Sequence, residues 1–276
     1  MKIVMLSTRH GRGLTTTSIL LADMCARAIS VPCIVAHTDS SDATMDKYLN
    51  LSKSKDPTMS IRQVYKLLEV NQINGEKLSD YTVKRGNLQI FDIYDPNYIQ
   101  GADADSDVDA SGKSSQLLDL VLSENVRGLS FVDMTGEIYE PTMQRIISDG
   151  DFYIIVIDQS VDNIDQLKEW QKYKYFTETI AKEGYLVLVN QFNNNNYALD
   201  KIAKMLNIRR SSMMKIGYNP MIVKHSNEGN LHYVNDYALN GDPRYIATRE
   251  DLLSCVSLLT SHLGLTMNKG IKKLNG

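Results

Sequence analysis

The hydrophobic and polar positions of the chain follow two alternating patterns, one typical of buried strands and one typical of amphipathic helices. Short apolar runs bounded by polar or glycine-containing stretches predict strands of a sheet that is covered on both faces. These runs occupy residues 3–6, 31–36, 88–93, 129–132, 152–157, 186–189 and 213–216. The most hydrophobic run, residues 152–157, is typical of a strand at the centre of such a sheet.

Between these runs, apolar residues recur at the spacing of a helix. The predicted helices occupy residues 15–24, 45–49, 61–68, 115–122, 141–147, 163–176, 198–206 and 254–263. Residues 231–248 follow neither period, so we expect irregular structure that packs over the sheet. Strands that alternate with helices predict an α/β fold, a doubly wound, mostly parallel sheet flanked by helices, in a single domain over residues 1–276.

The first apolar run leads into a turn that carries two glycines, Gly11 and Gly13, and then into a helix opened by Thr15 and Thr16. Glycines allow the backbone to approach a ligand closely, and a helix N-terminus supplies partial positive charge. A strand, a glycine turn and a hydroxyl-led helix therefore predict a phosphate-binding loop. An ordinary tight turn between a strand and a helix is the alternative, and the residues themselves leave both open.

The turn departs from the Walker A pattern at one position. That pattern requires a lysine directly before the Ser/Thr, and here Leu14 precedes Thr15. The lysine that contacts phosphate is therefore absent, while the Thr15 hydroxyl remains available to Mg²⁺.

Acidic residues follow two of the predicted strands. Asp39 and Asp42 come after the second apolar run, and Asp133 ends the run 129–132. Ligands of open parallel sheets bind at the carboxyl ends of the strands, so these acids are expected on the same edge as the glycine turn. Asp39 would hold a metal-bound water or orient an attacking one, and Asp133 would hold the water shell of Mg²⁺. The alternative for Asp39 and Asp42 is a turn that caps the next helix.

Composition narrows the function classes. The chain has 276 residues, 43% hydrophobic and 23% charged, with a formal charge of −3 that gives no general attraction to nucleic acid. Its cysteines, Cys25, Cys33 and Cys255, lack metal-ligand spacing. Cys25 and Cys33 lie in apolar contexts and are expected to be core thiols in a reducing cytosol. No apolar run approaches the ~20 residues that span a bilayer, and the chain opens on a strand rather than a signal peptide. We therefore expect a cytoplasmic protein that is at most peripheral to the inner face of the membrane.

Six segments, in order, resemble the MinD/ParA branch of the P-loop NTPases. Residues 9–16 (RHGRGLTT) match the family's K-G-G-x-G-K-T-T loop, and residues 37–49 match its D-x-D-P-Q-x-N switch. The other matching segments are 86–93 (GNLQIFDI), 131–137 (FVDMTGE), 187–192 (VLVNQF) and 216–229 (IGYNPMIVKHSNEG).

This resemblance implies a homodimer that binds ATP and Mg²⁺. It assigns Asp39 to the second acid of the switch, a catalytic position, and Asn190 to the surroundings of the adenine. It assigns Thr15 and Asp133 to the metal. The nucleotide-binding loop that it implies consists of Arg9, Gly11, Arg12, Gly13, Leu14, Thr15 and Thr16.

The departures from the family pattern concentrate where ATP chemistry occurs. Leu14 replaces the phosphate-binding lysine, Arg9 replaces the signature lysine that reaches across the dimer, and His37 replaces the first switch acid. Losing one charge-assisted contact costs roughly 1.5–3 kcal/mol, so nucleotide binding would be weakened about ten- to a hundredfold. Hydrolysis would suffer more, because positioning and charge stabilisation are nearly all of that catalysis.

The loop G-R-G-L-T-T is similar to that of the TadZ/CpaE proteins, a subgroup in which a small apolar residue replaces the lysine. This similarity implies a localisation or assembly factor for a Flp pilus or secretion machine, whose proteins would be its partners. Two alternatives stay open: an active partition-type ATPase of a plasmid or mobile element, with DNA as a partner, and a scaffold that binds no nucleotide.

Overall fold

A computed structural model describes residues 1–38, 42–51, 64, 66–68, 70, 72, 82–92, 128–134, 141–194, 196–268 and 270. Asp39, the predicted helix 115–122 and half of the predicted helix 61–68 (residues 61–63 and 65) lie outside the described residues.

The described strands form one sheet in the order β3-β4-β2-β5-β1-β6-β7-β8, in which every neighbouring pair is parallel except β3 and β4. This confirms the predicted doubly wound, mostly parallel sheet. The strands are β1 (Lys2–Ser7), β2 (Cys33–His37), β3 (Val83–Arg85), β4 (Leu88–Asp92), β5 (Leu129–Asp133), β6 (Phe152–Ile157), β7 (Tyr185–Phe192) and β8 (Met213–Gly217).

Helices flank the sheet. They are α1 (Leu14–Ala28), α2 (Thr44–Leu49), α3 (Pro141–Ser148), α4 (Val161–Lys172), α5 (Leu199–Met205), α6 (Pro220–Asn227), α7 (Tyr233–Leu239) and α8 (Ile246–His262). Further helical structure includes a π-helical turn (Phe176–Ile180) with a short α-turn (Ala181–Glu183), and 3₁₀ turns at Arg210–Ser212 and Pro243–Tyr245. The described residues 64 and 66–68 are helical as well. No helix among the described residues is both long enough and apolar enough to cross a membrane.

Side chains from the two faces of the sheet enter separate hydrophobic clusters, as the apolar runs predict. Phe152, Ile154 and Val156 of β6 pack with α1 and α8 on one face. Tyr153 and Ile155 of the same strand pack with α3, α4 and α5 on the other. The run 152–157 is an interior strand between β1 and β7, which explains its hydrophobicity on both faces.

The sequence-based expectation was wrong for residues 231–248. This segment contains α7 and the beginning of α8, because the buried face of α7 (Val234, Asn235, Ala238) packs against the rest of the molecule. Its exposed positions are occupied by Tyr233 and Tyr237, which hide the apolar period in the sequence. The antiparallel edge strand β3 was also missed, since three residues carry no readable period.

Candidate functional site

The loop between β1 and α1, residues 8–13, is called the phosphate loop below. Its two glycines adopt left-handed backbone conformations, with φ of 75° at Gly11 and 76° at Gly13. Residues with a Cβ rarely adopt this conformation, so glycine suits both positions. Gly13 is the N-cap of α1 and accepts a hydrogen bond from the Thr17 N–H at 2.9 Å. No acidic residue lies in the first turn of α1, so its positive dipole end stays available to an anion.

A cavity of about 150 Å³ lies against the phosphate loop. Leu14 lines this cavity and is only 7% exposed, because its side chain also belongs to the core around α1. An apolar methyl-bearing side chain therefore lies where the Walker A pattern would place an ammonium group. The residues that line the cavity include Ser7, Thr8, Arg9, His10, Gly11, Gly13, Leu14, Thr15, Thr16, Asp42, Thr44 and Tyr48.

Thr15 lines this cavity, and its hydroxyl lies near the carboxylate of Asp133. Asp133 ends β5 and is completely buried, and neither of its carboxylate oxygens has a hydrogen-bond partner of ordinary geometry among the described residues. Burial raises the pKa of Asp133 to about 6, against the lowering effects of the His37 charge and the nearby Thr15 hydroxyl. A buried carboxylate without a partner is costly, and a bound cation with its water shell would satisfy it.

His37 occupies the centre of a group of carboxylates at the ends of β2, β4 and β5. Its Nδ1 lies 3.3 Å from Asp92 Oδ1, and its Nε2 lies 3.9 Å from Asp42 Oδ2. Burial alone would lower the pKa of His37. The hydrogen bond with Asp92 and the charges of Asp133, Asp92 and Asp42 outweigh burial and raise that pKa to about 9. His37 is therefore a buried imidazolium at neutral pH, and it compensates the acids around it.

Asp92 and the central role of His37 were missed by reasoning from sequence. Asp92 ends the apolar run of β4, so its place at the carboxyl end of a parallel strand was the available signal. Asp42 was predicted on this edge, and its Oδ1 also accepts a hydrogen bond from the Thr44 N–H at 2.9 Å, as a turn or cap would require.

The two arginines of the phosphate loop have different surroundings. Arg9 is half exposed, and its Nη1 lies 3.6 Å from Asp162 Oδ2 at the beginning of α4. Arg12 lines neither this cavity nor the second one described below. Its Nη1 lies 2.5 Å from Oδ2 of Asp158, just before α4. Only Arg9 is therefore held loosely enough to turn towards a phosphate group.

A second cavity of about 240 Å³ adjoins the first and shares Gly11, Gly13, Thr16 and Tyr48 with it. Asn190, at the carboxyl end of β7, lines this cavity, and its Nδ2 donates a hydrogen bond to the Arg12 carbonyl at 2.9 Å. Aromatic, aliphatic and amide side chains surround a space next to the phosphate loop, an arrangement suited to a flat heterocycle. The lining residues that reasoning from sequence missed include Tyr48, Gln191, Ile216, Tyr218, Asn219, Ile222 and Val223.

Comparisons with known proteins place this geometry in a structural context. No protein-family model matches the chain, and no curated protein matches it by sequence. Solved structures do match over nearly the whole chain. The ParA family ATPase of Chlorobium tepidum superposes with a TM-score of 0.66 at 11% identity, over 93% of this chain and 97% of that one.

Two MinD structures give similar values. The septum site-determining protein MinD of Pyrococcus horikoshii, complexed with Mg-ADP, matches with a TM-score of 0.62 at 14% identity, over 91% of this chain and 95% of that one. The MinC:MinD cell division complex of Aquifex aeolicus matches with a TM-score of 0.64 at 18% identity, over 97% of each chain. At these identities the likeness shows the fold, which is that of the MinD and ParA P-loop ATPases.

Proposed function

We propose that this protein binds Mg-ATP in the two joined cavities at the phosphate loop and hydrolyses it weakly or not at all. The observation that carries this proposal is the buried carboxylate of Asp133, which lies near the Thr15 hydroxyl and has no hydrogen-bond partner of ordinary geometry among the described residues. Thr15 lies in the first turn of the helix that the glycine loop opens. The MinD of Pyrococcus horikoshii, which has the same fold, was solved with Mg-ADP, and this supports the choice of ligand.

The phosphates, the base and the bound Mg²⁺ each have a counterpart in the described residues. The N–H groups of the phosphate loop and Arg9 would bind the phosphates, and Asn190 would contact the base. Thr15 and Asp133 would hold Mg²⁺, whose charge neutralises the phosphates. Leu14 contributes no charge to this arrangement, and Arg12 is already paired with Asp158. The shortage of positive charge at the cradle is why we propose weak turnover.

At the level of the cell, we propose a cytoplasmic localisation or assembly factor for a Flp pilus or secretion machine, able to contact the membrane only peripherally. A nucleotide cleft with fewer charged groups suits a protein that binds nucleotide and recruits partners better than a protein that hydrolyses ATP rapidly. The similarity of G-R-G-L-T-T to the TadZ/CpaE loop supports this assignment. ATP turnover as fast as that of a lysine-bearing MinD, or salt-sensitive binding to non-specific DNA, would favour the partition ATPase instead.

The nucleotide-binding part is tested by thermal unfolding with and without Mg-ATP, for the wild type and for Gly13→Val. We expect Mg-ATP at a hundredfold excess over Kd to raise the wild-type Tm by on the order of 5 °C. We expect no rise for Gly13→Val, because φ at Gly13 is 76° and a Cβ there would lie 2.2 Å from Asn190 Nδ2.

Gly241→Val is the matched control for this experiment. Gly241 has a similar φ of 80°, and a Cβ there meets nothing within 4 Å, so the variant shares the backbone strain but leaves the cleft unchanged. It should lose stability and keep the Mg-ATP shift. Absence of any shift in the wild type would contradict nucleotide binding and favour the scaffold without nucleotide.

We further propose that the protein forms a homodimer through the face beside the cleft. Tyr218 and Val223 are 59% and 45% exposed there, and both also line the second cavity. Apolar side chains exposed at the rim of a ligand site are typical of a surface that a partner covers. The measurement is light scattering after gel filtration in Mg-ATP, which should give twice the mass of the chain.

A charge placed on this face should separate the subunits. We expect Tyr218→Glu to be monomeric in Mg-ATP, whereas Tyr173→Glu should remain dimeric. Tyr173 is 45% exposed but follows the C-terminus of α4, which leads back to the amino end of β7, whereas Tyr218 follows the carboxyl end of β8. A wild type that is monomeric at micromolar concentration, or a Tyr173→Glu variant that dissociates equally, would contradict this face.

A further inference from the structure

The phosphate loop is fixed from one side by residues 158–163, which form the turn after β6 and the first turn of α4. The Thr8 hydroxyl donates a hydrogen bond to Asn163 Oδ1 at 2.8 Å, and both residues are buried. The guanidinium of Arg12 meets Asp158 at 2.5 Å. The beginning and the end of the loop are therefore attached to the same turn.

Asp158 is itself held in place for this contact. Its Oδ1 accepts hydrogen bonds from the Ser160 N–H at 2.8 Å and from Asn163 Nδ2 at 2.6 Å, which leaves Oδ2 for Arg12. Although partial burial raises the pKa of Asp158, these hydrogen bonds and the Arg12 charge together lower it below its ordinary value. The carboxylate is thus a stable anion at neutral pH, oriented by its own turn.

The backbone of Arg12 is held from the other side. Its carbonyl accepts a hydrogen bond from Asn190 Nδ2 at 2.9 Å, at the end of β7. Arg9, in contrast, lies 3.6 Å from Asp162, and both side chains are largely exposed, so this pair is weak and screened by salt. Of the two arginines, Arg12 has the surroundings of a structural residue.

We propose that Asp158, acting through Arg12, is a positioning residue that holds the phosphate loop in the conformation in which its N–H groups bind phosphate. Arg12 is then a support of the loop and not a phosphate ligand. This inference rests on the proposed nucleotide binding. A loop without the Walker lysine depends more on its backbone N–H groups, and these bind best when their orientation is fixed beforehand.

The sign of the effect of Asp158→Asn on Mg-ATP affinity distinguishes this role from the alternative. We expect Asp158→Asn and Arg12→Gln each to weaken Mg-ATP binding about tenfold. The double variant should bind no more weakly than either single variant, because both substitutions break the same ion pair. Titration of a fluorescent ATP analogue in the presence of Mg²⁺ measures this. If Arg12 were a phosphate ligand that Asp158 competes for, Asp158→Asn would bind more tightly, and that result would overturn the proposal.

Asp165→Asn is the matched control, because Asp165 lies on α4 in an exposed ion pair with Lys168. It removes the same charge from the helix that follows Asp158 and should leave the affinity unchanged. Arg12→Lys should recover part of the binding that Arg12→Gln loses, because an ammonium can still reach Asp158.

Amide hydrogen exchange of residues 8–17 in the protein without nucleotide separates this inference from the proposed function. Asp158→Asn and Arg12→Gln should accelerate exchange in this segment, whereas Asp165→Asn should not. If the wild type binds no Mg-ATP but the variants exchange faster, the proposed function fails and the support of the loop by Asp158 stands. Unchanged exchange in both variants would show that Asp158 and Arg12 do not hold the phosphate loop in place.

Discussion

Replacing Leu14 with lysine is expected to raise the affinity for Mg-ATP about ten- to a hundredfold, the value of one charge-assisted contact. Leu14 lines the cavity at the phosphate loop, so an ammonium at this position would face the phosphates. The same change should lower the Tm of the protein without nucleotide. Leu14 is 7% exposed and part of the core, and a buried charge without a partner is unfavourable.

Leu14→Met is the control for this substitution, since it nearly conserves volume and adds no charge. Mg-ATP titrations and thermal unfolding of both variants give the two quantities. For Leu14→Lys we expect two opposite changes. The Tm of the protein without nucleotide falls, and the rise in Tm that Mg-ATP causes becomes larger. A Leu14→Lys variant that gains no affinity over Leu14→Met would show that the cavity is not the phosphate site.

Replacing His37 with leucine is expected to lower the free energy of unfolding by about 3 kcal/mol at pH 7, as measured by urea denaturation. The imidazolium lies between Asp92 and Asp42 and is paired in register with Asp133. Its removal takes one positive charge away from these carboxylates, two of which are almost fully buried. His262→Gln is the control, because that histidine is exposed at the C-terminus of α8.

The pH dependence of this difference follows from the raised pKa of His37, about 9 in the folded protein against 6.5 for an ordinary histidine. A group whose pKa is raised by folding stabilises the folded protein fully at pH values below its unfolded-state pKa. That stabilisation is lost as the pH rises through its folded-state pKa. The stability gap between wild type and His37→Leu should therefore be largest near pH 6 and shrink as pH passes 9. A gap that is independent of pH would mean that His37 acts only through packing.

These charges are the physical basis of our proposal that the cleft binds a nucleotide with little turnover. His37 compensates the acids at the ends of β2, β4 and β5, and Asp158 holds Arg12. Arg9 and the backbone of the phosphate loop then supply the remaining positive potential at the cradle. Phosphoryl transfer depends on positioned positive charge, so we expect this arrangement to favour binding over turnover.

The sequence by itself determined the local structure and the chemistry of the loop. Apolar runs specified strands such as β6 because a strand covered on both faces needs side chains that are apolar on both. Gly11, Gly13 and Thr15 predicted a phosphate-binding loop from local properties, and both glycines have the left-handed backbone that glycine favours. The order of these elements was enough to predict the doubly wound sheet, which the structure confirms.

Only the tertiary structure decided which charges meet. His37, Asp92 and Asp133 come together because the sheet places β2 between β4 and β5, an order that no local pattern encodes. Arg12 and Asp158 are 146 residues apart in sequence, and only the pairing of β1 with β6 brings them into contact. Electrostatic partners depend on distance in space, so the roles of these side chains were fixed by the packing of the sheet.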